Sequence, residues 1–143
     1  MSLLDRLDSR LVVASQAGPA QGPSVTALKA QHSSVPAEYL ELIAVATEIE
    51  FEAAGNYLRV WGPEGVLEMD EAYGISSEIP GAIPIGDDGG GSALVYMEGL
   101  KGEGVYFVRY GDLERDEASW VAPSLEALLC KGEGLDVIDL DLR

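Results

Sequence analysis

The sequence predicts an α+β domain: a mainly antiparallel, twisted sheet with N-terminal and C-terminal helices packed on it. Three observations carry this. Short alternating or β-branched segments follow one another through residues 48–111, joined by Gly/Pro turns too short for the crossovers that parallel strands need. Helical patterns precede residue 48 and follow residue 120. The 143 residues suit one compact domain with one core, and no apolar run reaches the ~18 residues that span a bilayer.

Residues 2–14 suit a helix, with Ser2 as cap, Asp5 three residues later, and Leu3, Leu4, Leu7 and Leu11 at helical spacing. "SQAGPAQGPS" (15–24) then breaks regular structure and reads as a flexible linker. The chain therefore divides into an N-terminal helix and linker, 1–23, and a domain, 24–143. Residues 25–33 suit a short helix. In "SSVPAEYLELIAVAT" (33–47), Ser34 suits a cap, Pro36 the first turn and Glu38 the positive end of the helix dipole.

"EIEFEA" (48–53) alternates strictly, with Ile49, Phe51 and Ala53 on one face and Glu48, Glu50 and Glu52 on the other. "AGN" (54–56) turns the chain into "YLRVW" (57–61), a hairpin partner. "GPEG" (62–65) reads as a turn, and "VLEMDEAYG" (66–74) as a strand start with a helical turn after it. "AIPI" (82–85) is a strand whose proline suggests an edge. "SALVYME" (92–98) and "GVYFVRYG" (104–111) are strong strands. "DLERDEAS" (112–119) is a charged loop. Ser124 caps a helix with Leu125, Leu128 and Leu129 inward and Gly132 as its end. The tail "LDVIDLDLR" suits one last strand.

Charge is the strongest bulk feature. Nine basic residues stand against 25 acidic, a net −16, with residues 1–35 at +1 and residues 36–143 at −17. Such a body repels nucleic acid and anionic membranes; its charge serves solubility alone or, alternatively, steers a basic partner. The single Cys130 builds neither an internal disulfide nor a multi-cysteine metal site. The first residues are too polar for a secretion signal, so a cytoplasmic protein is expected.

The glycine run in "IGDDGGGSALVYM" (85–97) invites a ligand loop. A phosphate loop needs a lysine and an ensuing helix; here a β-pattern follows, and Asp87 and Asp88 repel phosphate. A calcium loop of the EF-hand kind needs more ligands at wider spacing. A strand–turn–strand joint with the two carboxylates at its tip remains. His32 lies in the polar "AQHSS" and reads as a surface residue. Cys130 reads as a small buried hydrophobe, although Lys131 beside it favours a thiolate. Asp136, Asp139 and Asp141 read as a solvated acidic edge. No catalytic set, cofactor or metal is expected. Trp61 and Trp120 end predicted strands, and Tyr57, Arg59 and Trp61 share a face suited either to a partner or to a covering helix.

In order and spacing, these segments resemble the SUKH superfamily, the Smi/Knr-like proteins. "VPAEYLELI" (35–43) is similar to its "lPxxYxxfl" helix, "IPIGDDGGGSALVYM" (83–97) to its "hxxIGxxGGGdxhhh" segment, and "PSLEALL" (123–129) to its closing "SxexfL" helix. The resemblance covers roughly residues 24–132. Ser92 departs from it where an acidic or polar residue often follows the glycines. The glycine-rich segment that usually follows the first long helix is only approximated by "ATEIEFEAAGN" (46–56). The N-terminal helix and linker lie outside the pattern. The resemblance implies a SUKH-like fold and a non-enzymatic protein-binding domain, as in immunity proteins that neutralise a toxin, often a nuclease or deaminase, by binding it. The expected partner is a protein, such as a basic toxin domain, and not nucleic acid or a membrane. The alternative is a regulatory scaffold with no toxin. Expected partner contacts are Asp87 and Asp88 at the glycine turn, Trp61 and Glu64 at the second turn, and Asp112, Glu114, Asp116 and Glu117 in the charged loop. A third reading is an enzyme or metal binder using Asp87, Asp88 and neighbouring carboxylates.

Overall fold

A computed structural model of the chain describes residues 2–53 and 56–137. Seven strands form one antiparallel sheet in strict sequence order: β1 (Val12–Ala17), β2 (Thr47–Ala53), β3 (Asn56–Val60), β4 (Ile83–Asp87), β5 (Ser92–Gly99), β6 (Gly102–Arg109) and β7 (Ser119–Ala122). Between β1 and β2 lie α1 (Gly22–Gln31) and α2 (Ala37–Ile43). Between β3 and β4 lie α3 (Pro63–Tyr73) and α4 (Ile75–Glu78), and α5 (Leu125–Lys131) follows β7. The α+β class and the antiparallel sheet are as the sequence predicts.

The alternation in residues 48–61 sets the register of the first hairpin. Phe51 pairs with Leu58 and Ile49 with Val60, and all four are buried. Each such side chain removed from water contributes about 1.5–3 kcal/mol. β4 and residues 92–97 of β5 are buried at every position, so both faces of the sheet are covered at its centre. The core joins these strands to Tyr39, Leu42 and Ile43 of α2 and to Leu125, Leu128 and Leu129 of α5. Ser124 caps α5 as expected, its Oγ accepting from Ala127 N at 3.0 Å, and Gly132 ends the helix at φ 72°.

Several expectations are overturned. The N-terminal helix is only a 3-10 turn, Leu3–Arg6, in which Asp5 accepts from Ser2 N at 3.2 Å. Val12–Ala17 extends as β1 against β2, using β-branched residues and ladder hydrogen bonds that outweigh a weak leucine stripe. Leu3 and Leu11 join the core, and the expected linker over 15–24 gives residues 15–17 to β1 and residues 22–24 to α1. α1 begins at Gly22, with Pro23 in its first turn. The helix expected over 33–47 is confined to Ala37–Ile43, with Pro36 as its cap, because Thr47 already belongs to β2.

The "GPEG" turn and the strand after it are a single helix, α3. Pro63 occupies its first turn, and Gly74 closes it in the left-handed region at φ 68°. "AIPI" contributes to a central strand rather than an edge. Pro84 is tolerated beside a register shift between Pro84 and Gly86, where the ladder is interrupted. The charged loop contains a 3-10 turn, Arg115–Glu117, and ends in β7. Of the expected "AGN" turn, residues 54 and 55 lie outside the described residues. In the tail, Leu135–Val137 is helical, while Asp139 and Asp141 lie outside the described residues. Among the described residues, no helix is long and apolar enough to cross a membrane.

Candidate functional site

The glycine run is a packing joint. A Cβ on Gly86 would stand 2.0 Å from Arg59 O, so only glycine lets β4 approach β3 this closely. Gly89 adopts φ 78° under the ring of Tyr57 and donates its N–H to Asp87 Oδ1 at 2.8 Å. Asp88 Oδ1 accepts from Gly90 N at 2.8 Å and Ser92 N at 3.3 Å, closing the turn onto β5. Asp87 Oδ2 accepts from Trp61 Nε1 at 2.7 Å and Arg59 Nε at 3.2 Å.

Asp87, Asp88 and Trp61 are therefore buried, at 6%, 1% and 2% exposure, rather than presented at a tip. Their polar atoms serve the fold, which corrects their expected place as partner contacts. Beside them Tyr73 stacks on Tyr110 at 4.1 Å between ring centroids. Burial, then the charge of Asp87, pushes the Tyr110 hydroxyl well above the usual phenol range.

His32 is buried, not at the surface. It caps α1, and its Nε2 lies 3.2 Å from Asp70 Oδ2 without a well-directed hydrogen bond. Asp70 also accepts from Ser76 N at 2.8 Å and Ser76 Oγ at 2.6 Å, so this cluster ties α1 to the α3–α4 junction. Burial is the main influence on the Cys130 thiol and pushes it up, against the thiolate that Lys131 suggests. Among the described residues, no three His, Cys, Asp or Glu side chains gather into a metal-ligating group.

Glu64 is exposed and accepts from Ser24 Oγ at 2.9 Å, beside a hollow of about 300 Å³ that also meets Glu48 and Glu68. Glu48 sits in the left-handed region at φ 46° and accepts from Gly62 N at 2.5 Å, tying β2 to the start of α3. Asp112, Glu114, Asp116 and Glu117 are exposed on the loop between β6 and β7. Arg115, in their midst, turns away from them. Its guanidinium donates to the carbonyl oxygens of Glu98 and, at 2.6 Å, of Pro80. Four carboxylates thus form a ridge whose one interior cation is engaged with backbone.

Arg115 also lines an open groove of about 770 Å³. Its walls include Glu38, Pro80, Tyr96, Glu98 and Glu103. Glu38 is saturated, accepting from Tyr96 Oη at 2.7 Å, Leu125 N at 2.7 Å and Glu126 N at 3.0 Å. It fixes α2 to the start of α5. Arg115 links the two features, standing within the acidic loop and lining the groove. Of the sequence-predicted contacts, the four loop carboxylates are exposed, Glu64 lies beside the hollow of about 300 Å³, and the remaining three are interior. The groove carboxylates escaped the sequence reading, although "EGLKGE" (98–103) places Glu98 and Glu103 symmetrically about a hairpin turn.

In comparisons with known proteins, no family model matches the chain, and no curated protein matches it.

Proposed function

We propose that the chain is a non-enzymatic protein-binding domain of the SUKH kind, acting as an immunity protein that neutralises a basic toxin domain by binding it. The observation that carries this reading is the ridge Asp112–Glu114–Asp116–Glu117, braced from within by Arg115. Four exposed carboxylates on a held loop, in a chain of net charge −16, form a surface complementary to a nucleic-acid-acting protein. The order of the segments in residues 24–132, similar to that of the SUKH superfamily, supports the same class. Tyr39 and the glycine run occupy structural positions that suit such motif residues. The Tyr39 hydroxyl donates to Trp61 O at 2.6 Å, and Gly86 seats β4 on β3.

Co-expression with a basic toxin domain encoded beside its gene tests the reading. Wild-type protein restores growth, and reversal of all four ridge charges (D112K, E114K, D116K and E117K) abolishes rescue while the melting temperature holds. Association slows steeply with added salt, as charge-steered encounter requires. Failure of the wild-type protein to rescue overturns the toxin assignment.

A further inference from the structure

We propose that the groove beside the ridge takes an extended segment of the partner protein, with a lysine or arginine side chain lodged between Glu98 and Glu103. This rests on the protein-binding reading above and assigns the part of the partner that this surface grips.

Glu98 and Glu103 face each other directly across the β5–β6 ladder. Like charges opposed in this way destabilise a sheet. Neither carboxylate has an ion-pair or hydrogen-bond partner among the described residues, although Lys101 stands in the turn between them and Arg115 nearby. Arg115 reaches only the Glu98 carbonyl, not its carboxylate. A cation entering from outside relieves the repulsion and is held by both groups.

The remaining lining selects the same chemistry. Pro36, Pro80 and Pro123 carry no N–H, and the Tyr96 hydroxyl proton is held by Glu38. Arg115 uses two of its nitrogens on backbone carbonyls. Glu98 and Glu103 are thus the lining carboxylates left to accept, and lysine and arginine side chains are donors with no acceptor. The site is also preformed. Tyr106 Oη donates to Gly102 O at 2.7 Å and accepts from Lys101 N at 3.1 Å, pinning the hairpin turn. A rigid groove loses little entropy on binding. At about 770 Å³ it falls within the range of pockets that enclose drug-sized ligands, roughly 300–1,000 Å³, and admits a short stretch of chain.

Isotope-labelled full-length chain is titrated by NMR with acetyl-Ala-Ala-Arg-Ala-Ala-amide, its lysine and norleucine counterparts, and spermidine. The arginine and lysine peptides are expected to move the amides of residues 98–104, Gly81 and Arg115, and the norleucine peptide to leave them in place. The double variant E98Q/E103Q weakens peptide binding by roughly five- to tenfold, the loss of two exposed charge contacts. Shifts confined to residues 112–117, equal shifts with norleucine, or spermidine binding as tightly as the peptides overturns the proposal. Toxin rescue left intact by E98Q/E103Q but lost on ridge reversal removes the groove and leaves the toxin reading. Peptide binding in the groove without rescue does the reverse.

Discussion

The Trp61 indole donates its Nε1–H to Asp87 Oδ2 at 2.7 Å, and both side chains are buried. Arg59 Nε and Gly89 N also donate to this carboxylate, so three donors converge on one acceptor group. Asp87→Asn replaces one accepting oxygen by an NH2 group facing donors. The expected loss is about 1–3 kcal/mol, seen as a lower urea midpoint with a change in tryptophan emission. An unchanged midpoint means the charge is not needed there.

Gly86 and Gly91 belong to the same motif but differ in what surrounds them. A methyl on Gly86 meets the Arg59 carbonyl at 2.0 Å, whereas nothing lies within 4 Å of the same position on Gly91. Gly86→Ala is expected to cost about 1–3 kcal/mol or more, since the obstacle is backbone. Gly91→Ala stays within about 0.5 kcal/mol of the parent. Equal effects in paired denaturant melts contradict the close-approach account of the motif.

The opposed Glu98 and Glu103 make a prediction of opposite sign. Glu103→Gln removes a cross-strand repulsion and is expected to stabilise the chain by about 0.2–1 kcal/mol at low salt. The gain shrinks as salt screens the exposed pair. A loss of stability shows instead that Glu103 has a supporting role in the fold.

Four tyrosines govern the alkaline limb. Burial, then the Glu50 hydrogen bond, pushes the Tyr57 hydroxyl up to about 12. Burial foremost, with Glu48, Glu38 and Asp87 respectively, raises Tyr39, Tyr96 and Tyr110 further. The unfolded chain ionises these groups near pH 10 while the folded chain keeps their protons, so stability falls as pH rises above about 10. Phenolate absorbance from these four residues is expected to appear with unfolding. Smooth titration of these four tyrosines near pH 10 in a folded sample contradicts this.

Strict alternation made β2 and β3 legible, because a period of two leaves one register that buries Ile49, Phe51, Leu58 and Val60 together, while β5 and β6 showed as continuous apolar and aromatic runs. The cap and stop of α5, Ser124 and Gly132, were equally plain. For α3 the signals were present, Pro63 at its start and Gly74 at its end, but "GPEG" also satisfies turn chemistry. Local preference cannot choose between them. β1 had still less to show, since an edge strand exposed on both faces carries little apolar pattern and is defined by its partner β2.

The site divides in the same way. The acidity of residues 112–117 and the turn-forming nature of the glycine run follow from residue types alone, because charge and backbone freedom are local properties. The direction of each carboxylate depended on donors far along the chain. Trp61 and Arg59 draw Asp87 inward, while among the described residues no such side-chain donor reaches the carboxylate of Asp112 or Glu114. The sequence by itself determined the α+β class, the acidic body and the four strongest strands. Only the tertiary structure decided which acids face outward and that Glu98 meets Glu103 beside a groove, because burial and cross-strand opposition exist only once distant segments are packed together.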